Sequence, residues 1–413
     1  MNIILINTFF APIGGAEKIA YLQLKLLEKN GHNVVFWATD YGNYFEKDYI
    51  YKNYFTKFCG GMTNYLKNPM RYYYNNQAKL DLQILISNFK PDLIHLHNIS
   101  TLSPSILDVC KKYPTVMTVH DASLICPSHT LMKDKTHLCN IKCKNGNFTP
   151  CIFNNCANNI EKNIRYAVLS TIKYSKLKYI DHFITPSESL RKNMLIANIG
   201  IIDNHITTIN NFLDKNELDT QPNYSNNKYF LYVGRLSPEK GINYLLDTIC
   251  ILPREINFHI VGNGPDEKLV KKYIERKNLT NVKFLGFMNK NEIKEEYQNC
   301  IATILPCNWF ENFPTTTIES FINGKPVIAS NIGGISEQVV HNKTGLLFEP
   351  TNVKQLKECI LKYWNNSDLV VEHGKNAYIK ATKFYTEDRY YNKLIDVYNK
   401  VVEKKCETNK MVY

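Results

Sequence analysis

Two glutamates in the second half of the chain, Glu311 and Glu319, stand eight residues apart across a predicted loop-to-helix junction. Pro314 lies between them, and because its ring fixes φ and removes an N–H, it is typical of the first turn of a helix. The threonines at 315–317 would then present free amides and hydroxyls at the positive end of that helix, which suits phosphate. Either glutamate alone also fits a solvated surface charge, but together they predict one carboxylate beside a sugar and one beside a ribose diol.

Arg235 and Lys240 supply a second pair of charges, five residues apart in the segment GRLSPEKG. The preceding run KYFLYVG predicts a strand and the following GINYLL predicts a helix, so both cations belong to the turn beyond the end of the strand. Paired cations in such a turn can neutralise the negative charge of a diphosphate in place of a metal ion. Two unrelated surface cations are the alternative interpretation.

Short apolar runs that end in polar or glycine residues mark further candidate positions. His120 and Asp121 follow the run TVMTV, and His97 follows DLIHL. A histidine at a strand end is more often a hydrogen-bonded structural group than a catalytic one, so on position alone these residues are only candidates. Gly14 and Gly15 lie in a turn between a strand and a helix, where the missing side chains let a ligand approach the backbone. Turn geometry alone also explains these glycines.

Several of these segments form recognisable motifs. They are E-N-F-P-T-T-T-I-E-S at 311–320, G-K-P-V-I-A-S-N-I-G-G-I-S-E at 324–337, T-G-L-L-F at 344–348, G-R-L-S-P-E-K-G at 234–241 and T-V-H-D at 118–121. Together they closely resemble the donor-site signature of retaining family 4 glycosyltransferases. The resemblance extends over nearly the whole chain and implies the GT-B architecture, an α/β fold of two Rossmann-like, doubly wound parallel-sheet domains that face a central cleft.

The resemblance also implies roles for individual residues. Glu311 would hold the donor sugar, Arg235 and Lys240 the diphosphate, and His120 the region of the reacting carbon. These four are the predicted catalytic residues. The predicted donor-binding residues are Gly14, Gly15, Gly262, Phe287, Met288, Asn312, Phe313, Pro314, Thr315, Thr316 and Glu319. In such enzymes the leaving phosphate accepts the proton of the acceptor, which retains the anomeric configuration without a nucleophile from the protein.

The expected donor is a nucleotide-sugar co-substrate, with a UDP-sugar favoured and a GDP-sugar possible. The expected acceptor is a glycan or a polyprenyl-diphosphate-linked glycan in surface polysaccharide or lipopolysaccharide synthesis. We expect no catalytic metal and no other cofactor. A non-catalytic protein of the same fold that binds glycans or nucleotides is the alternative. In such a protein we would expect the charged residues of the donor motif to be lost. Here they are all present.

The order of predicted elements defines the domains. Runs at 2–8, 33–39, 92–97, 115–120, 182–187 and 206–211 alternate with helical or loop segments, which predicts a parallel, doubly wound sheet. We predict an acceptor-binding domain at residues 1–212, a nucleotide-sugar-binding domain at 213–385, and a final helix at 386–413. The resemblance implies that this helix returns to the first domain.

Bulk composition narrows the class of protein. The chain has 413 residues, of which 44% are hydrophobic, enough for two domains with their own cores. The start MNIILINTFF lacks a basic segment before its apolar run, so it predicts a buried strand instead of a signal peptide. No run of 18 apolar residues occurs, and we therefore expect a cytoplasmic protein with reduced cysteines.

The net charge of +12 is unevenly distributed: residues 1–210 carry 23 basic and 14 acidic side chains, a balance of +9. Tyrosines and basic residues intermix at 41–80 (Lys67, Arg71, Tyr72, Tyr73, Tyr74, Lys79) and again at 160–179 (Lys162, Arg165, Lys173, Lys176, Lys178). This composition suits an anionic membrane surface, although biased codon usage explains it equally well. We find no nucleic-acid-binding motif and expect no such partner.

An insertion at residues 126–156 contains five cysteines, Cys126, Cys139, Cys143, Cys151 and Cys156. Clustered cysteines in a reducing compartment often bind zinc, for which four thiolates suffice. However, the insertion has no C-x2-C pair. Loosely packed thiols or oxidisable pairs are therefore favoured, with structural zinc as the open alternative.

Overall fold

The computed structural model describes residues 1–11, 14–40, 55–57, 69–99, 102–133, 137–218, 221–224 and 228–410. The chain divides into two compact units. The first unit comprises Met1–Asp134, Cys139–Asn210 and Asp388–Tyr413, and the second comprises Lys135–Leu138 and Asn211–Glu387.

Within its described residues, the first unit has a seven-stranded sheet in the order β3-β2-β1-β4-β5-β8-β9, in which every neighbouring pair is parallel. The strands up to β9 are Asn2–Ile6 (β1), Asn33–Thr39 (β2), Phe55–Thr56 (β3), Leu93–Leu96 (β4), Thr115–Thr118 (β5), Met132–Lys133 (β6), His137–Leu138 (β7), His182–Thr185 (β8) and Ile206–Thr208 (β9). Strands β1, β4 and β5 are almost wholly buried, as expected for a parallel sheet covered on both faces.

Helices accompany the strands of this sheet. They are Gly15–Lys29, Pro69–Tyr73, Asn76–Phe89, Leu107–Cys110, Thr149–Phe153, Ile160–Lys176, Glu188–Ala197 and the C-terminal Glu387–Lys410. In the part of the chain that the structure describes, no helix combines the length and the hydropathy needed to span a bilayer.

A buried polar network fastens the C-terminal helix to the first sheet. The Tyr390 hydroxyl donates to Gln23 Oε1 at 2.6 Å, and Gln23 Nε2 donates to the Tyr398 hydroxyl at 3.1 Å. The Tyr398 hydroxyl also bonds to His95 Nδ1, while His95 Nε2 lies 2.8 Å from Thr118 Oγ1 on β5. Because buried polar groups are costly when unpaired, this network specifies where the helix packs.

The second unit is built on a six-stranded parallel sheet in the order β12-β11-β10-β13-β14-β15. Its strands are Tyr229–Val233 (β10), Phe258–Val261 (β11), Val282–Gly286 (β12), Cys300–Leu305 (β13), Val327–Ser330 (β14) and Gly345–Phe348 (β15). Its helices are Lys215–Leu218, Ile242–Cys250, Glu267–Arg276, Lys290–Asn299, Thr315–Ile322, Ile335–Gln338, Val353–Trp364 and Ser367–Phe384.

Strands β10 and β13 form the switch point of the second sheet. They are neighbours, yet the chain continues from β10 to β11 on one side and from β13 to β14 on the other. Phe230 on β10 faces Phe258 on β11, and their ring centroids lie 5.7 Å apart in the core below. In doubly wound sheets the loops that leave such a switch point diverge and open a crevice for ligands. Arg235 and Lys240 follow β10, and Glu311 follows β13.

Candidate active site

Lys240 and Glu311 meet at the switch point of the second unit. Lys240 ends a short 3₁₀ turn, Pro238–Lys240, and its Nζ forms an ion pair with Oε2 of Glu311. The Trp309 indole donates to the same oxygen at 3.0 Å, and the Lys240 ammonium lies 5.2 Å from the centre of the Trp309 ring. Burial by itself lowers the pKa of Lys240, but the Glu311 carboxylate outweighs it, so the pKa is raised and the ammonium stays charged at neutral pH.

A pocket lies beside this ion pair. Lys240, Glu311, Pro314 and Thr316 contribute to its lining, so the predicted cation, carboxylate and helix start are brought together. Pro314 occupies the N-cap position with φ −64° and ψ 130°, and the helix begins at Thr315. The expectation that Pro314 lies in the first turn was therefore wrong by one residue, because its extended ψ places it outside the helix. The backbone amides of the first helical turn, which no side chain caps, are those of the threonines at 315–317.

Two glycines position the loop that carries Arg235. A Cβ on Gly262 would lie 2.0 Å from the carbonyl oxygen of Gly234, and one on Gly264 would lie 2.3 Å from that of Leu236. These contacts leave room for hydrogen alone, so backbone packs directly on backbone. Gly262, which was predicted to bind the donor, therefore packs against the backbone of the loop that carries Arg235. The Arg235 side chain itself is exposed.

Gly333 and Gly334 position the backbone of Glu311. The Gly334 N–H donates to the Glu311 carbonyl oxygen at 2.7 Å. Gly333 has φ +60°, and a Cβ there would lie 2.4 Å from the same oxygen. The double glycine of the motif at 324–337 therefore acts by packing against the Glu311 main chain.

The remaining predicted donor-binding residues have different environments. Glu319 accepts a hydrogen bond from the Tyr297 hydroxyl at 3.1 Å and does not line the pocket. Phe313 is buried, with its ring edge-on to Tyr385 in the core. Phe287 is 75% exposed, whereas Met288 packs partly against a buried cluster. Asn312 and Thr315 are half-buried in the loop and at the helix start.

In the first unit, the sequence-predicted His120 belongs to a column of three imidazoles. His97 Nδ1 lies 2.8 Å from His120 Nε2, and the two rings stack with centroids 5.2 Å apart. His95 stacks on the other face of His97 at 4.6 Å. Burial lowers the pKa of His120 to about 4 and that of His95 to about 3, so both rings are neutral at pH 7. His97 is an orienting neighbour of His120 that the sequence marked only weakly.

Sequence reasoning missed Glu17, a buried carboxyl in the first turn of the helix Gly15–Lys29. Burial raises its pKa, and the negative charge of Asp121 adds to the effect. A Cβ on Gly14 would lie 3.1 Å from Glu17 Oε2, whereas Gly15 faces open space. Asp121 is itself held ionised, because the nearby His129 ring, whose Nδ1 lies 3.7 Å from Oδ2, and the hydrogen bond from Ser123 outweigh its burial and lower its pKa. The signal for Glu17 was available in GGAEK, since it follows the predicted ligand-approach turn.

The histidine column makes stability depend on pH. A histidine whose pKa is lower in the folded state than its unfolded value of about 6.5 binds fewer protons when folded. We therefore expect the free energy of unfolding to fall as the pH drops from about 6.5 towards about 4. Each such histidine contributes at most about 1.4 kcal/mol per pH unit. Chemical denaturation at pH 7, 6 and 5 measures this slope.

A His120→Asn variant provides the control for this prediction. It removes one titrating group from the column, so its stability should depend less steeply on pH over the same interval. Glu17 opposes the trend, because its raised pKa favours the folded state at lower pH, but it is present in both proteins. Equal slopes in the two proteins would show that His120 is not held neutral by the fold.

The two segments rich in tyrosine and basic residues contact each other within the first unit. The Tyr74 hydroxyl donates to Asp108 at 2.6 Å, and Lys176 forms an ion pair with the same carboxylate. Lys173 is buried. Lys67 lies outside the described residues, as does most of the stretch before residue 69. Some of the basic side chains predicted to face a membrane are therefore buried in the first unit or paired with its acidic groups.

Two doubly wound parallel sheets, one with a charged pocket beyond its strand ends, define a protein of the GT-B class. Residues 13–217 match the family model described as Glycosyltransferase Family 4, and residues 214–380 match Glycosyl transferases group 1. The chain belongs to the group 1, family 4 glycosyltransferases.

Known relatives and structures agree with this assignment. The chain is 31% identical over 196 residues to an uncharacterized glycosyltransferase of Methanocaldococcus jannaschii, which covers 48% of this chain and 53% of that protein. It is 27% identical over 254 residues to the N,N'-diacetylbacillosaminyl-diphospho-undecaprenol alpha-1,3-N-acetylgalactosaminyltransferase of Campylobacter jejuni, covering 58% and 65%. These matches thus span about half to two thirds of the relatives' own lengths. The fold resembles Anabaena HepE in complex with UDP (TM-score 0.69, 18% identity, 97% and 100% coverage).

Proposed function

We propose that this protein transfers a sugar from a nucleotide-sugar donor to a glycan or polyprenyl-diphosphate-linked acceptor in surface polysaccharide synthesis. A UDP-sugar is the favoured donor and a GDP-sugar the second choice. The observation that carries the proposal is the Lys240–Glu311 ion pair in one pocket with the start of the Thr315–Ile322 helix. Such a pocket offers a cation and free amides to a diphosphate and a carboxylate to sugar hydroxyls.

The proposed reaction breaks the bond between the anomeric carbon and the donor diphosphate. Negative charge then develops on the leaving phosphate, where Lys240 and the uncapped helix amides stabilise it. Arg235, exposed in the turn after β10, supplies a second cation. These groups replace the charge that a divalent metal would provide. The phosphate then accepts the acceptor's proton on the face from which it leaves, so the anomeric configuration is retained.

The acceptor class is supported by the Campylobacter jejuni relative, whose name specifies a diphospho-undecaprenol-linked acceptor. The donor class is supported by the fold neighbour, which was crystallised with UDP. His120 in the first unit is proposed to contact the donor near the reacting carbon. His120 is neutral at pH 7 and can donate or accept one hydrogen bond.

Thermal shift with free nucleotides tests the donor half of the proposal. At 100 times its dissociation constant, a bound nucleotide adds about 2.7 kcal/mol to stability. We expect UDP to raise the melting temperature more than GDP, ADP or CDP. We expect Glu319→Ala to weaken the binding of UDP about tenfold, because the ribose diol loses its carboxylate partner. Tyr297→Phe is the matched control, since it removes the partner of Glu319 and keeps the carboxylate.

Binding without turnover distinguishes the alternative function. If UDP stabilises the protein but no nucleotide sugar is hydrolysed or transferred, the chain is a binding protein on the GT-B fold. If no nucleotide changes the melting temperature at millimolar concentration, the proposed donor site is wrong.

We also propose that the first unit contacts an anionic membrane through the helix Ile160–Lys176. Ile160, Ile164 and Val168 follow one another on successive turns and are 61%, 47% and 44% exposed. Such an exposed apolar stripe binds a headgroup interface. Ile164→Asp should reduce sedimentation with anionic liposomes at low salt, whereas Ile379→Asp, at an isoleucine of the second unit that is 59% exposed, should not. Equal sedimentation of both variants would exclude this helix as the contact.

A further inference from the structure

His97 is a fully buried histidine in which one ring nitrogen has a partner and the other has none. The residue directly follows β4, and its side chain is 0% exposed. Its Nδ1 lies 2.8 Å from Nε2 of His120. Among the residues that the structure describes, no hydrogen-bond donor or acceptor lies within reach of the buried Nε2 of His97. Because buried polar atoms in proteins are nearly always paired, this nitrogen requires an explanation.

The backbone and the neighbouring rings hold His97 in place. Its main-chain N–H donates to the carbonyl oxygen of Ile6 on β1 at 2.7 Å. Its ring stacks on His95 and on His120, with centroid separations of 4.6 Å and 5.2 Å and interplanar angles of 6° and 17°. Both nitrogens of His95 are hydrogen-bonded, so that ring is itself fixed. The His97 ring therefore cannot turn its unpartnered nitrogen towards another group without breaking the stack.

The unpartnered nitrogen decides where His97 carries its hydrogen. A charged imidazolium has a hydrogen on both nitrogens, and burial without a second acceptor disfavours it. In the neutral ring, a hydrogen on Nε2 would leave a buried N–H with no acceptor. A hydrogen on Nδ1 leaves Nε2 as an unpaired acceptor instead, which proteins tolerate more often than an unpaired N–H. His97 therefore carries its hydrogen on Nδ1 and donates it to Nε2 of His120.

This hydrogen bond fixes the protonation of His120 in turn. Because Nε2 of His120 accepts the hydrogen of His97, that nitrogen carries no hydrogen of its own. Burial lowers the pKa of His120 to about 4, so the ring is neutral at pH 7 and keeps a single hydrogen. That hydrogen is therefore on Nδ1, the nitrogen that does not face His97.

We propose that His97 is a positioning residue that holds His120 in the neutral form with its hydrogen on Nδ1. His120 then acts as a hydrogen-bond donor in the reaction and not as a base.

The use of this N–H rests on the proposed function, in which His120 contacts the donor near the reacting carbon. An N–H there donates to an oxygen of the donor sugar or of the leaving phosphate, and the bond to the phosphate strengthens as negative charge develops. The nitrogen of His120 that lacks a hydrogen is occupied by His97, so the ring does not take the proton of the acceptor hydroxyl. That proton passes to the leaving phosphate, as in the proposed reaction.

Nitrogen NMR of the full-length protein with isotope-labelled histidine tests the assignment directly. Long-range proton–nitrogen correlations distinguish a ring nitrogen that carries a hydrogen from one that does not. At pH 7 we expect the ring signals that disappear in His120→Asn to show a hydrogen on Nδ1 and a bare Nε2. His97 should show a hydrogen on Nδ1 as well. A hydrogen on Nε2 of His120, or a charged imidazolium at either position, would overturn the proposal.

Three variants test whether His97 sets this form. His97→Phe keeps a ring in the stack and removes the donor, so His120 should become a mixture of its two neutral forms. His97→Asn places an amide donor near the position of Nδ1 and should restore most of the wild-type signal. His182→Asn is the control, because His182 bonds to Thr207 at the start of β8 and should not affect His120. An unchanged His120 in His97→Phe would contradict the role of His97; if that variant does not fold, the wild-type spectrum still decides the assignment.

Kinetics measure the consequence for the reaction, with UDP-glucose, UDP-galactose and UDP-N-acetylglucosamine as probes. We expect His97→Phe to lower the turnover number about tenfold with little change in KM, because a hydrogen bond made in the transition state is weakened. His97→Asn should recover most of this loss, and His182→Asn should match the wild type. A change in KM alone would contradict a role at the reacting centre. A wild type that turns over no nucleotide sugar contradicts the proposed function, and the spectra then still decide the form of His120.

Discussion

Replacing Lys240 by alanine lowers the turnover number about 100- to 1,000-fold, equivalent to about 3–4 kcal/mol, while the protein remains folded. Lys240 is held charged by Glu311 and lies in the pocket proposed to receive the donor diphosphate. Its loss removes a charge that acts on the leaving phosphate as that phosphate becomes more negative. Arg235→Ala should cause a loss of the same order. Initial rates with saturating donor, and circular dichroism for the fold, measure the effect.

Two substitutions in the same unit are matched controls. Lys271 forms a surface ion pair with Glu267 at 2.7 Å, and Arg276 lies on the same exposed helix. Lys271→Ala and Arg276→Ala remove the same charges away from the pocket and should change turnover less than twofold. Near-normal turnover in Lys240→Ala, or an equal loss in the controls, would count against the proposed phosphate clamp.

Replacing Gly241 by alanine destabilises the second unit by about 3 kcal/mol or more. Gly241 has φ +71°, and an added Cβ would lie 1.8 Å from the carbonyl oxygen of Pro306. Both the left-handed backbone and this contact oppose the substitution, and the contact forces the strand end at Pro306 to move. Since Lys240 is the preceding residue, turnover should fall as well. Urea denaturation measures the loss of stability.

Gly286→Ala isolates the effect of the contact. Gly286 has the same φ of +71°, but no atom lies within 4 Å of its added Cβ. The Gly286→Ala variant should lose only about 1 kcal/mol of stability, which is the cost of the left-handed conformation. If both variants are equally unstable, the packing of the Lys240 turn against Pro306 is not important.

Strand periodicity predicted the sheets well because parallel strands are buried on both faces. The predicted strand at 33–39 has the same bounds in the structure, whereas the runs at 92–97 and 115–120 end at residues 96 and 118. Their last residues leave the ladder and form the carboxyl-end loops. His97 and His120 lie there, which is why their side chains can contact each other. The sequence pattern cannot separate a strand from the polar residue that terminates it.

Long-range contacts were less accessible to sequence reasoning. The two-residue strand Phe55–Thr56 exists only through pairing with β2, and nothing in its own sequence predicts it. Trp309 is fixed by a hydrogen bond to Glu311 and by the position of Lys240, which is 69 residues away along the chain. Gln23 finds its partners on the C-terminal helix, more than 360 residues away. The sequence motifs identified the charged site residues. The residues that contact them could be identified only from the folded structure.

A crystal structure of the protein with UDP tests the central claim most directly. We predict that the β-phosphate lies at the start of the Thr315–Ile322 helix, within hydrogen-bonding distance of its first free amides and of Lys240. We also predict the ribose beside Glu319. A nucleotide bound elsewhere on the chain, with Lys240 still paired to Glu311 and the helix start in contact with solvent alone, would contradict the account.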